Sequence, residues 1–100
     1  MIYVGYQVTP VPGKLNDLLT AYAQVKEVAE ANGAKQIGGF SVALGPDAGS
    51  VFYIVAYQDT DAYNAVDKAL ASSDVMKQAQ SLIATASSAA LRPLPDSRLQ

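Results

Sequence analysis

The stretch Val51-Phe52-Tyr53-Ile54-Val55-Ala56-Tyr57 constrains the fold more than any other. It is β-branched and aromatic, carries no charge, and is bounded by Gly49-Ser50 before it and Gln58-Asp59-Thr60-Asp61 after it. That pattern predicts a strand. Val51, Tyr53, Val55 and Tyr57 alternate with Phe52, Ile54 and Ala56, so both faces are apolar. A strand apolar on both faces belongs in the middle of a sheet covered on both sides. The first strand, residues 2–9, has the same design. Ile2, Val4, Tyr6 and Val8 share one face; Tyr3, Gly5 and Gln7 share the other.

Between and after these strands the periodicity changes. Leu15, Leu18, Leu19, Tyr22, Val25 and Ala29 repeat at helical spacing and predict a helix over residues 14–32, with Asp17 in its first turn and Gly33 as its stop. Lys26 and Glu30 lie one turn apart on its solvated flank and are expected to pair weakly. Residues 35–44 read as a second strand, with Gly38-Gly39 allowing a bulge, followed by a hairpin loop over residues 45–50. Tyr63, Val66 and Leu70 mark a second helix capped by Asp59, Thr60 or Asp61. Ser73 can cap a further helix carrying Val75, Met76, Ala79, Leu82 and Ile83. A last strand is expected over residues 84–92, before a proline-broken tail that could reach a neighbouring molecule.

The order is β-α-β-β-α-β, an α+β ferredoxin-like pattern with a four-stranded antiparallel sheet and helices on one face. One domain over residues 1–95, with a tail over 96–100, accounts for the length. The chain also reads as two halves offset by 51 residues. Ile2 aligns with Tyr53, Val4 with Val55, Gly5 with Ala56, Tyr6 with Tyr57, Gln7 with Gln58 and Thr9 with Thr60. The expectation drawn from this is a parallel central pair of strands one and three, with the two Tyr-Gln ends side by side. Right-handed crossovers place both helices on one sheet face and leave the other bare although it is apolar. A second copy is the cover at hand, so a homodimer is expected. Charged residues make up only 16% of the chain, which agrees with surface hidden in self-association.

Composition excludes much chemistry. There is no cysteine and no histidine, which removes thiolate catalysis, Cys- or His-ligated metal, the usual haem ligand and the commonest general base. Seven scattered basic residues against nine acidic ones argue against nucleic acid and anionic membranes. No apolar run is long enough for a membrane span, and the N-terminus carries no signal-peptide pattern, so the cytoplasm is the default location. No cofactor is expected. Asp59-Thr60-Asp61 has the look of a metal cluster, but capping explains it.

The candidates left are phenols, amides, one guanidinium, a phenyl ring and a hydroxyl. Tyr6 and Tyr57 each end a central strand beside a helix start, and a phenol there can stabilise an enolate or phenolate. Arg92 can bind a carboxylate or phenolate through two hydrogen bonds. These three are the candidate catalytic residues. Tyr3, Gln7, Phe40, Ser41, Tyr53 and Gln58 are the candidate ligand-binding residues. For each, packing or a backbone hydrogen bond is the competing role.

Pro12-Gly13-Lys14-Leu15, Gly38-Gly39-Phe40, Gly45, Val55-Ala56-Tyr57-Gln58-Asp59, Ala71-Ser72-Ser73-Asp74 and Leu91-Arg92-Pro93-Leu94-Pro95 together give the chain a resemblance. It resembles the dimeric α+β barrel superfamily and, within it, the NIPSNAP-like group, related to antibiotic-biosynthesis-monooxygenase-like domains. The resemblance implies a two-sheet barrel dimer. It does not imply one activity, because relatives include cofactor-free monooxygenases, haem-degrading enzymes, isomerases, lyases and proteins of unknown role. The missing histidine and tryptophan depart from several of these. Two functions follow as expectations. One is a homodimer that binds a small apolar or aromatic molecule, with cofactor-independent monooxygenase or isomerase chemistry. The other is a non-enzymatic structural or interaction dimer.

Overall fold

A computed structural model describes residues 1–97; the remainder of the expected tail, residues 98–100, lies outside the described residues. The elements run β1 (Ile2–Pro10), α1 (Leu15–Ala31), β2 (Lys35–Ser41), β3 (Val51–Tyr57), α2 (Thr60–Ala71), α3 (Asp74–Gln80) and β4 (Ile83–Leu91). One four-stranded sheet has the order β2-β3-β1-β4, and every neighbouring pair in it is antiparallel.

The central pair is therefore antiparallel, which corrects the parallel pairing expected from the repeat. The crossover through α1 returns β2 parallel to β1 but one strand away. The hairpin then turns β3 back into the gap, antiparallel to both neighbours. The Tyr-Gln ends consequently do not lie side by side. Tyr6 pairs with Tyr53, Gln7 with Phe52, and Tyr57 with Ile2.

Local signals account for the element ends. Asp59 caps α2 by accepting from the Ala62 amide at 2.8 Å, and Ser73 caps α3 through the Val75 amide at 3.2 Å. Gly33, at φ 110°, takes the left-handed turn that ends α1. The register of β2 against β3 shifts between Gln36 and Gly38, so a bulge falls at Ile37 beside the two glycines. β2 stops at Ser41 rather than at residue 44. Past it, Val42 still closes the loop, its amide donating to the Ser50 carbonyl and its carbonyl accepting from the Gly49 amide, both at 2.9 Å. Among the described residues the ion pair is Lys14–Asp17 at 3.8 Å. The expected Lys26–Glu30 contact is not made; the Glu30 carboxylate accepts from the Gln36 amide of β2 instead.

The core lies between the helices and one sheet face. Val4, Ala34, Tyr57 and Val66 pack together, with Ile2, Tyr6, Val55, Tyr63 and Leu70 against them. Ala21, Val25 and Ala79 join α1 to α3, with Tyr22, Met76 and Leu82 alongside. The inward stripe of α1 is centred on Leu18, Ala21 and Val25, while Leu15 and Leu19 are partly exposed. The molecule is a slab of 38 × 34 × 16 Å, thick enough for one sheet and one helical layer. Among the described residues, no second layer of helix or strand lies over the other sheet face, which carries Tyr3, Gly5, Gln7, Phe52, Ile54 and Phe40. Two rings there lie over glycines. A Cβ on Gly5 would come within 2.8 Å of the Phe52 ring, and one on Gly38 within 3.0 Å of the Phe40 ring.

Candidate functional site

Applying the 51-residue offset to the antiparallel register locates a local two-fold axis. Val4 and Val55 are both register partners and repeat equivalents, so the axis passes between them. Tyr6 and Tyr57 each stand two residues further along, in opposite directions. Four residue steps separate them, about 13 Å of strand. Both side chains rise on the helix-facing side and lean back across the axis. Their hydroxyls meet there in a hydrogen bond of 2.7 Å, in which either can donate.

This pair sits in a cavity of about 330 Å³ between the sheet and the helices. More tyrosines border it. Tyr22 of α1 stacks obliquely on Tyr53 of β3, ring centres 5.3 Å apart. Tyr63 of α2 meets Tyr57 edge-on at 5.1 Å. Val25, Ala29, Val55, Val66, Leu70 and Met76 complete an apolar lining, and exposed Lys26, Glu30, Asp67 and Gln80 supply its polar part. A mostly apolar concavity with a few convergent polar groups is the usual form of a small-molecule site.

Burial sets the protonation of the phenols. Desolvation raises Tyr6, and its hydrogen bond to Tyr57 and the nearby charges of Tyr57, Tyr63 and Asp67 raise it further. Desolvation also raises Tyr57, against a lowering effect of the bond from Tyr6. Tyr22 is pushed up to about 12 by burial and by Tyr53, and burial raises Tyr53. All four are neutral donors at physiological pH, and the folded state holds their protons more tightly than the unfolded chain does. Stability is thus fully present below pH 10, the ordinary tyrosine value, and falls as pH rises above it toward the folded values. We expect a flat melting temperature between pH 7 and 9, then a drop above 10, with a step in tyrosinate absorbance that coincides with loss of helical circular dichroism. Ionisation of all the tyrosines near pH 10 without unfolding would contradict this placement.

Of the residues singled out from the sequence, the cavity gathers Tyr6, Tyr53 and Tyr57. Ser41 is exposed at the end of β2, on the helix-facing side. Tyr3, Gln7 and Phe40 lie on the opposite sheet face. Gln58 and Arg92 are exposed just past the ends of β3 and β4. Sequence reasoning missed Tyr22, Tyr63 and Asp67. Tyr22 and Tyr63 were visible as members of helical stripes, and aromatic residues on helices that cover a tyrosine-bearing strand are the signal that points to them.

A family model described as NIPSNAP matches residues 6–98. The chain is also similar to solved structures. A NIPSNAP family protein of unknown function from Agrobacterium tumefaciens superposes with a TM-score of 0.82 at 18% identity, over 100% of this chain and 94% of that one. An uncharacterized NIPSNAP domain protein from Burkholderia xenovorans gives 0.78 at 19% identity, covering 97% of this chain and 98% of the other. A putative antibiotic biosynthesis monooxygenase from Nitrosomonas europaea gives 0.70 at 12% identity, over 94% and 99%. At these identities the likeness is one of fold. Among curated proteins, none matches the chain.

Proposed function

This chain belongs to the NIPSNAP family, and from its site we propose that it is a homodimer binding a small, flat, largely apolar molecule in the cavity between sheet and helices. The observation that carries the ligand reading is the cavity of about 330 Å³ with a hydroxyl pair inside an apolar lining. It has the size and polarity of a ligand pocket and not of a packing defect. The dimer reading is supported by the uncovered sheet face. Phe40 is 57% exposed there. Cofactor-independent isomerisation or oxygenation of the ligand is the chemistry we assign to the site. Both pass through an enolate or phenolate, which phenols can hydrogen-bond, and Asp67 and Glu30 are the carboxylates bordering the cavity.

Native mass spectrometry of the protein as purified, followed by addition of a naphthalene-sized aromatic, tests both parts. We expect a dimer that retains or takes up one small molecule per subunit. A dimer that binds no aromatic compound at millimolar concentration would favour the purely structural role. A monomer at micromolar concentration would end the dimer proposal.

A further inference from the structure

Tyr6 and Tyr57 share one hydrogen bond but own two hydroxyl protons. Whichever phenol donates at 2.7 Å, the other keeps a proton. Among the described residues neither hydroxyl makes a further hydrogen bond to protein, and both residues line the cavity. The spare proton therefore serves whatever occupies the cavity. It is also polarised, because a hydroxyl that accepts a hydrogen bond becomes a better donor.

Resting on the ligand reading above, we propose that the two phenols act as a single donor for one neutral carbonyl oxygen, so that the ligand class is an uncharged aryl ketone, aldehyde or quinone. Three features carry this. The pair offers one proton at one place and hence suits one acceptor atom. The rings of Tyr22, Tyr53 and Tyr63 stand around it, presenting faces and edges that suit a flat aromatic body. Charge discriminates against a ligand that arrives as an anion and adds a charge to the site, which an enolate formed by proton transfer to a bordering carboxylate does not. Asp67 lies close enough to act on both phenols, and Glu30 also borders the cavity, with Lys26 the one ammonium opposing these two carboxylates among the described lining residues. A carboxylate ligand meets net repulsion there, and a neutral carbonyl does not.

The test uses three probes of one shape: 2-acetylnaphthalene, its alkene isostere 2-isopropenylnaphthalene, and 2-naphthoate. Each is titrated by equilibrium dialysis against the full-length protein, the single variants Tyr6→Phe and Tyr57→Phe, and the double variant. Removing both hydroxyls keeps the shape and leaves no orphaned partner, so the double variant keeps its fold; its melting temperature verifies this. The readout is the ketone-to-alkene affinity ratio, which cancels their different hydrophobicity. We expect the wild-type ratio to exceed that of the double variant by about five- to tenfold, the worth of one net hydrogen bond, with the single variants between. Naphthoate is expected to bind weakest to the wild type. An equal ratio in wild type and double variant overturns the donor assignment while leaving the cavity a ligand site. Naphthoate binding tightest overturns the neutral class. Failure of all three probes to bind overturns the cavity reading itself, and this inference with it.

Discussion

Ile54→Asp is expected to convert the proposed dimer to a folded monomer. Ile54 occupies the middle of the uncovered sheet face, between Gly5 of β1 and Gly38 of β2. The rings of Phe52 and Phe40 lie over those two glycines and flank it, so a partner that covers this face meets Ile54 together with them. In a two-fold dimer the substitution places two unpaired carboxylates in a desolvated interface. Each costs several kcal/mol, and we expect the dissociation constant to rise at least about a thousandfold. The helix-facing core is untouched, because odd-numbered residues of β3 build that side. Sedimentation across a concentration series gives the dissociation constant, and far-ultraviolet circular dichroism reports the fold. A variant that remains a dimer at micromolar concentration would place the interface elsewhere.

Leu18→Ala is the substitution expected to damage the monomer most. Leu18 is 0% exposed and is the largest of the fully buried side chains. Truncating such a leucine removes its transfer free energy and leaves a cavity, about 3 kcal/mol together. Against a domain stability of about 5–15 kcal/mol this is a large share, and it lowers the melting temperature by more than about 10 °C. Leu19→Ala is the comparison. Leu19 is 42% exposed, so its loss is expected to cost under about 1 kcal/mol in the monomer. Equal effects at the two positions in chemical denaturation of a monomeric background would show that the inward stripe of α1 is misplaced.

Much of the fold was legible because the signals were local. Alternation over Val51–Tyr57, the helical period of α1, and the Asp59 and Ser73 caps each involve a few consecutive residues, and each appears where its pattern puts it. What failed was the relation between distant elements. The repeat correctly linked Tyr6 with Tyr57, but its strands were taken as parallel, and a parallel pair would bring equivalent residues together directly. In the antiparallel sheet they diverge from an axis, and only the length of the tyrosine side chain closes the gap. Sheet-face assignment was illegible for a different reason. β1 and β3 are apolar on both sides, so alternation alone could not say that Tyr53 faces the helices and that Tyr3 and Phe40 face away. That choice is made by α1 and the crossover hand. Tyr22 and Tyr63 escaped notice as site residues because a helix residue that packs and one that borders a cavity obey the same spacing rule.

The aromatic rings resting on Gly5 and Gly38 bear on how cheaply this molecule can be covered. A large side chain on a bare surface ordinarily samples several rotamers, and an arriving partner must freeze them, at about 0.5–1.5 kcal/mol per side chain. Phe52 and Phe40 are already held against backbone that offers a flat seat and no competing Cβ. Rings seated in this way have less freedom left to lose, so the ordering cost of association is expected to be smaller than for side chains standing free in solvent.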